Sequence, residues 1–350
     1  MSTPRHFGLD LLRACAILGV LVLHADLAGA GMPGAIASLA RYGWVGVDLF
    51  FVLSGFLLAA QVMDAREPSA VRGIRTFWAR RWTRTLPLYA VVLLCYVVLK
   101  PAIFGAPFQG DWRFALFLQN TGPITDFNQS WSLCIEEQFY FVFPLVFYLL
   151  RPRRAAWYLL PLAISVALRL AAWHALGLPA RLDASLDPVL FDRTFRFNTL
   201  RHLDGISIGI FLAATRPGWR RWPARARGAA GALALLLLAA TPWIFSSSLG
   251  GGGAVLAFLW LSCLFGALLI GVDGWSARPL GGRAIERIAV YSYGAYLWNN
   301  VLLRLMQRHP VGWPWPVGTL VFVGGAIALG AATYYAVEKP GMRLRKFLVV

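Results

Sequence analysis

"LRACAILGVLVLH", residues 12–24, decides how this chain is read. The stretch is apolar except for an arginine near its start and a histidine at its end. Extended to about residue 30, it meets the roughly 20 apolar residues that a membrane-spanning helix needs. From Arg13 to His24 is three helical turns plus about 20°, so the two side chains share one face. The rise between them is roughly 16 Å, about half the hydrocarbon thickness. Arg13 therefore stands near one border of the apolar layer, where an arginine can snorkel to headgroups. His24 stands beyond the midplane. A histidine that deep marks either a functional site or a water-filled cavity, with a hydrogen bond to a neighbouring helix as the plainer alternative.

The rest of the chain repeats the apolar pattern. Of 350 residues, 58% are hydrophobic and only 14% are charged, a membrane composition rather than a soluble one. About ten spans are expected, near 10–30, 44–62, 86–104, 133–150, 155–173, 203–215, 228–245, 253–272, 285–306 and 314–337. The formal net charge is +17. It is confined to short loops between apolar runs, and this distribution excludes a nucleic-acid surface. Basic residues crowd alternate loops, as the positive-inside bias requires, and place both termini in the cytoplasm. The expected fold is all-α, a polytopic membrane helix bundle forming a single domain over 1–350, with no appended extracytoplasmic domain. "DWRFALFLQN", residues 111–120, is too short to span and reads as a re-entrant or interfacial piece. "FSSSLGGGG", residues 245–253, reads as a flexible tip. The four cysteines lack paired or ligand spacing, so neither a disulfide framework nor a metal site is expected.

Counting from the outer ends of the expected spans, several polar side chains reach the depth of His24. Asp48 is about one turn into the second span. Glu136 and Glu137 are roughly 5–10 Å into the fourth. A histidine and three carboxylates in one layer would pair with one another. A carboxylate beside a histidine fixes its tautomer and raises its basicity, which suits general-base work on a hydroxyl. A purely structural hydrogen-bond network is the competing reading. On the opposite side, "FWARRWTRTLPLY" places Arg80, Arg81 and Arg84 before the third span, with Arg80 and Arg84 on one helical face. Guanidinium forks suit phosphate, and positive-inside topology against lipid headgroups explains the same residues without a ligand.

Seven stretches together resemble the acyltransferase family 3 membrane proteins, which modify bacterial cell-surface sugars and some secreted small molecules. They are the Arg13–His24 spacing, "GVDLFFVLSGF" (46–56), "FWARRWTRTLPLY" (77–89), "WSLCIEEQFY" (131–140), "RHLDGISIGIFLA" (201–213), "YSYGAYLW" (291–298) and "VEKP" (337–340). They occur in family order across nearly the whole chain. The resemblance implies a multi-pass protein of the bacterial inner membrane and an O-acetyltransferase-like activity. The donor would be acyl-CoA, with acetyl-CoA the expected co-substrate. The acceptor would be a saccharide or other hydroxyl compound, and no cofactor would be tightly bound. By the same resemblance His24 is the catalytic histidine and Glu136 and Glu137 are the family's acidic pair; Asp48, placed at that depth by the span reading, is counted with them as catalytic. Arg13, Arg80, Arg81, Arg84, Tyr140, Tyr293 and Asn299 are substrate-binding. Relatives commonly carry histidine where this chain has Asn299, and an amide cannot take a proton at neutral pH.

A mechanism follows as an expectation. CoA phosphates dock on the arginines, the extended pantetheine arm runs along the Arg13–His24 stripe, and the thioester arrives at His24. The segment 174–202, with Asp183, Asp187, Asp192, Arg193, Arg196, Arg201 and His202, is a candidate acceptor surface. A secondary transporter or lipid-linked sugar flippase is the alternative from another class, because intramembrane histidine and carboxylates also serve proton relays.

Overall fold

A computed structural model of the chain describes residues 6–65, 67, 69–122, 126–150, 152–177, 191–247 and 250–348. Among the described residues every regular element is helical. The helices are α1 (Phe7–Leu27), α2 (Gly34–Arg41), α3 (Val45–Asp64), α4 (Ala70–Phe104), α5 (Ser130–Leu145), α6 (Leu160–Ala175), α7 (Asp204–Trp219), α8 (Ala224–Ser247), α9 (Gly250–Val272), α10 (Gly282–Arg308), α11 (Trp315–Thr333), and the short α12 (Lys339–Arg343) and α13 (Arg345–Leu348).

Each of the ten expected spans falls on a helix, and among the described residues eight helical segments are long and apolar enough to cross a membrane. The other two expectations are α7, which has 16 residues, and α10. The latter is 27 residues long but carries Arg283, Glu286, Arg287, Asn299, Asn300 and Arg304. The expected glycine-rich tip is described only in part, since residues 248 and 249 lie outside the described residues. Gly250–Gly253 are the first residues of α9, and α8 runs to Ser247. Glycine disfavours a helix interior by about 1 kcal/mol, but the long apolar run behind these glycines carries the helix back through them.

The chain folds as two compact units, each gathered from separated stretches. The first comprises Met1–Leu12, Asp48–Arg66 and Leu150–Ala277. Its α3 and α7 cross with backbones in contact, because Gly209 packs on the Val52 carbonyl, where a Cβ would have no room. Small residues of this kind let membrane helices approach. Two charged clusters of this unit are paired internally. Arg169 grips Asp204 with two parallel bonds of 2.6 and 2.7 Å, and its Nε donates to the Val255 carbonyl at 2.8 Å. Both side chains are fully buried. Asp273, at the end of α9, accepts from Arg216 at 2.6 Å and pairs with Arg220 at 2.9 Å.

The second unit comprises Arg13–Val47, Glu67–Leu149 and Arg278–Val350. Its long α4 starts on a Ser69 cap, whose hydroxyl accepts from the Arg72 N–H, and ends on left-handed Gly105 (φ 71°). Helices α10 and α11 cross at Gly294 and Gly330, where an added Cβ on Gly330 would sit 2.7 Å from Ala295 N and Tyr291 O. The segment between α4 and α5 forms 3₁₀ turns at Trp112–Phe114 and Gln119–Thr121, as its length requires. It is tied down by polar side chains of α4. Tyr89 donates to the Phe114 carbonyl at 2.8 Å, Gln119 bridges Tyr89 and Ser130, and Lys100 pairs with Asp126 at 2.6 Å.

Candidate active site

Most of the expected site residues belong to the second unit, and they fall at two ends of one stripe. At one end stand Arg13 of α1, Arg81 and Arg84 of α4, and the acidic pair of α5. Arg81 lies within electrostatic reach of Tyr140, Arg84, Arg13 and Glu136, and its guanidinium is 6.0 Å from the Tyr140 ring centre. Glu137 is buried, within hydrogen-bond reach of Thr85 and Trp82. Tyr293 of α10 donates to the Thr85 carbonyl at 2.9 Å. Trp78 donates to the Tyr140 carbonyl at 3.1 Å and locks α4 to α5. Arg80, one turn before Arg84 on α4, is exposed.

Glu338 joins this end, and sequence reasoning missed it. It is fully buried in the π-helical turn Tyr334–Glu338 that follows α11. Arg84 is the charge that acts on it, and neither of its carboxylate oxygens has a hydrogen-bond partner. Its place in "VEKP", directly after the last expected span, was the available signal, because an acid at the edge of an apolar run needs a partner.

At the other end stands His24. Its Nδ1 is 2.8 Å from the Val20 carbonyl. A carbonyl only accepts, so Nδ1 carries the proton and, in the neutral ring, Nε2 carries the lone pair.

The structure separates this histidine from the acidic pair, so the expected shared layer is corrected. Helix α5 runs antiparallel to α10, with Gln129 donating to the Leu297 carbonyl at 2.9 Å and Ser132 bonded to Tyr296 at 2.7 Å. Glu136 and Glu137 consequently lie beside Tyr293, on which both act electrostatically. The far end of α10 meets the end of α1, where Gln307 donates to the Leu27 carbonyl at 2.8 Å. From Tyr293 to Gln307 is about 21 Å of helix, whereas His24 is only about 4.5 Å short of Leu27. The acidic pair is therefore roughly 16 Å from the level of His24, at the depth of Arg13. The cause is the segment between α4 and α5, which occupies the depth that the sequence assigned to the opening of the fourth span.

Asp48 belongs to the first unit. Its Oδ1 is 2.8 Å from His202 Nε2, and His202 Nδ1 donates to the Arg196 carbonyl at 2.7 Å. The described residues at the end of the candidate acceptor segment are similarly paired with one another. Asp192 pairs with Arg196 at 3.6 Å, and Arg201 donates to the Thr194 carbonyl at 2.9 Å. Asp183 and Asp187 lie outside the described residues. Asn299, on α10, is fully buried, and neither its amide oxygen nor its nitrogen has a partner. No group of three or more His, Cys, Asp or Glu side chains among the described residues is arranged to hold a metal.

A family described as an acyltransferase domain matches residues 6–335. The chain belongs to that family. A Listeria monocytogenes protein named peptidoglycan O-acetyltransferase OatA is 27% identical over 85% of this chain and 49% of its own length. A Bacillus subtilis protein named "Putative peptidoglycan O-acetyltransferase YrhL" is 26% identical over 95% of this chain and 54% of its own. The chain thus spans about half the length of the curated relatives it matches. No solved structure matches it. Family membership favours the transferase reading over the transporter.

Proposed function

We propose that this acyltransferase moves an acetyl group from acetyl-CoA to a hydroxyl of a cell-surface or exported saccharide, in the bacterial inner membrane. The names of the relatives support O-acetylation of a glycan such as peptidoglycan. The two-ended stripe supports a long thioester donor. Arg13, Arg80, Arg81 and Arg84 hold the phosphates, with Glu136, Glu137 and Glu338 balancing the arginines between turnovers. The pantetheine arm covers the roughly 16 Å to His24. Tyr140 and Tyr293 wall the donor end, and Asn299 contributes an amide to bound substrate.

The observation that carries this reading is the Nδ1–H···Val20 bond, because it presents Nε2 as the base. Nε2 takes the proton of the acceptor hydroxyl as its oxygen attacks the thioester carbonyl. The tetrahedral intermediate collapses, the C–S bond breaks, and the CoA thiolate recovers the proton from His24. Transfer through an acyl-imidazole uses the same atom as nucleophile.

The test is acetyl transfer by purified, reconstituted protein. Wild type should release CoA thiol in proportion to acetylated glycan, and His24→Ala should do neither while remaining inserted and folded. Full activity in that variant removes the assignment. Intact mass after exposure to donor alone separates direct transfer from an acetyl-histidine.

A further inference from the structure

Beyond the end of α1, a cavity of about 540 Å³ opens in the second unit, within the size range of small-molecule sites. Leu27, Ala28, Gln307, His309, Trp313 and Phe322 are among its walls. Nothing in the donor half of the stripe uses it.

Its position relates it to the base. Ala28 N–H donates to the His24 carbonyl at 2.8 Å, so this wall residue sits one helical turn, about 6 Å, beyond His24 on the same face. On α10 the wall residues Leu302 and Met306 follow Asn299 at the three- and seven-residue spacing of one helical face. Asn299 is thus one turn beneath the cavity, and its fully buried amide is unpartnered at both ends. Two polar side chains from two helices lie below the same opening.

Its chemistry selects the occupant. The walls are mainly apolar, yet they include an amide, an imidazole and an indole. Trp313 remains 40% exposed. Gln307 gives one N–H to Leu27 and keeps its second N–H and its carbonyl oxygen for a ligand. Gly29 (φ 88°) and Gly312 (φ 68°) hold left-handed turns with open space before them. A lipid chain has no use for the amide and imidazole. A sugar ring, with one apolar C–H face and a rim of hydroxyls, uses all three groups.

The geometry points to this cavity as the acceptor subsite. It takes a saccharide, with a ring stacked on Trp313, hydroxyls bonded to Gln307 and His309, and one hydroxyl turned down toward His24. This assignment rests on the transferase reading for its purpose, but its binding can be measured alone.

The probe is a soluble β-1,4-linked N-acetylglucosamine tetrasaccharide, titrated against the full chain in nanodiscs, with acetyl-CoA kinetics in parallel. Trp313→Ala should weaken tetrasaccharide binding and raise the acceptor KM by about tenfold or more. The KM for acetyl-CoA should not move, and Trp313→Tyr should restore most of the loss. Unchanged binding in Trp313→Ala, or no tetrasaccharide binding by wild type, overturns the proposal. Trp313-dependent binding in a protein that transfers no acetyl group supports the cavity as a sugar site and sinks the transferase reading instead.

Discussion

The Nδ1–H of His24 donates to the carbonyl of Val20, one turn earlier on the same helix and 2.8 Å away. The bond fixes both the tautomer and the ring orientation. If the remaining nitrogen is the base, His24→Ala and His24→Gln should both lower kcat by about 10²- to 10⁴-fold, the usual contribution of a positioned general base. Glutamine offers a neutral hydrogen-bonding group but cannot take the proton, so its failure separates proton transfer from mere polarity. Steady-state kinetics on reconstituted protein, normalised to the folded fraction, checks this.

The donor end should respond in KM rather than kcat. Removing two guanidinium groups with Arg80→Ala and Arg84→Ala should raise the apparent KM for acetyl-CoA by at least about tenfold, since forked arginine–phosphate bonds are among the stronger polar contacts. A lysine pair should recover part of the loss, because it keeps the charge and loses the fork. An unchanged KM would return these arginines to a topological role.

The helical class, the places of the helices and the Arg13–His24 face were legible because apolar periodicity and helix geometry are local properties. The depth of Glu136 was not. It depends on how far the turns at 112–121 fill the space before α5, and on the bonds from Tyr89, Gln119 and Lys100 that hold them. Residue spacing carries no trace of those long-range bonds. The partner of Asp48 was hidden for the same reason, since His202 is 154 residues away. Glu338 was visible only as part of "VEKP" beside the last span, and its nearness to Arg84 appears only when the turn after α11 is packed.

Packing at the α10–α11 crossing makes a prediction of its own. A Cβ on Gly330 would sit 2.7 Å from the backbone at Ala295 and Tyr291, and backbone cannot yield as a flexible side chain can. Gly330→Ala should therefore cost about 1–3 kcal/mol, the usual range for overpacking, seen as a lower melting temperature in detergent. Gly324→Ala is the control, because nothing lies within 4 Å of its added carbon, and it should leave the melting temperature unchanged or slightly raised, since alanine favours the helix.

The Arg169–Asp204 pair gives the sharpest stability test. Both side chains are fully buried and joined by two bonds, of 2.6 and 2.7 Å. Truncating one partner leaves a buried charge uncompensated, a loss of about 3–5 kcal/mol. Asp204→Ala should accordingly reduce the yield of folded protein and its melting temperature sharply. Replacing both partners, as Arg169→Met with Asp204→Leu, removes the charges together and should recover much of the loss. Thermal melts of the two variants decide it. If the single variant melts like wild type, the pair does not hold α6 to α7; if the double variant is as unstable as the single, the guanidinium bonds to the Val255 and Arg201 carbonyls matter more than the ion pair.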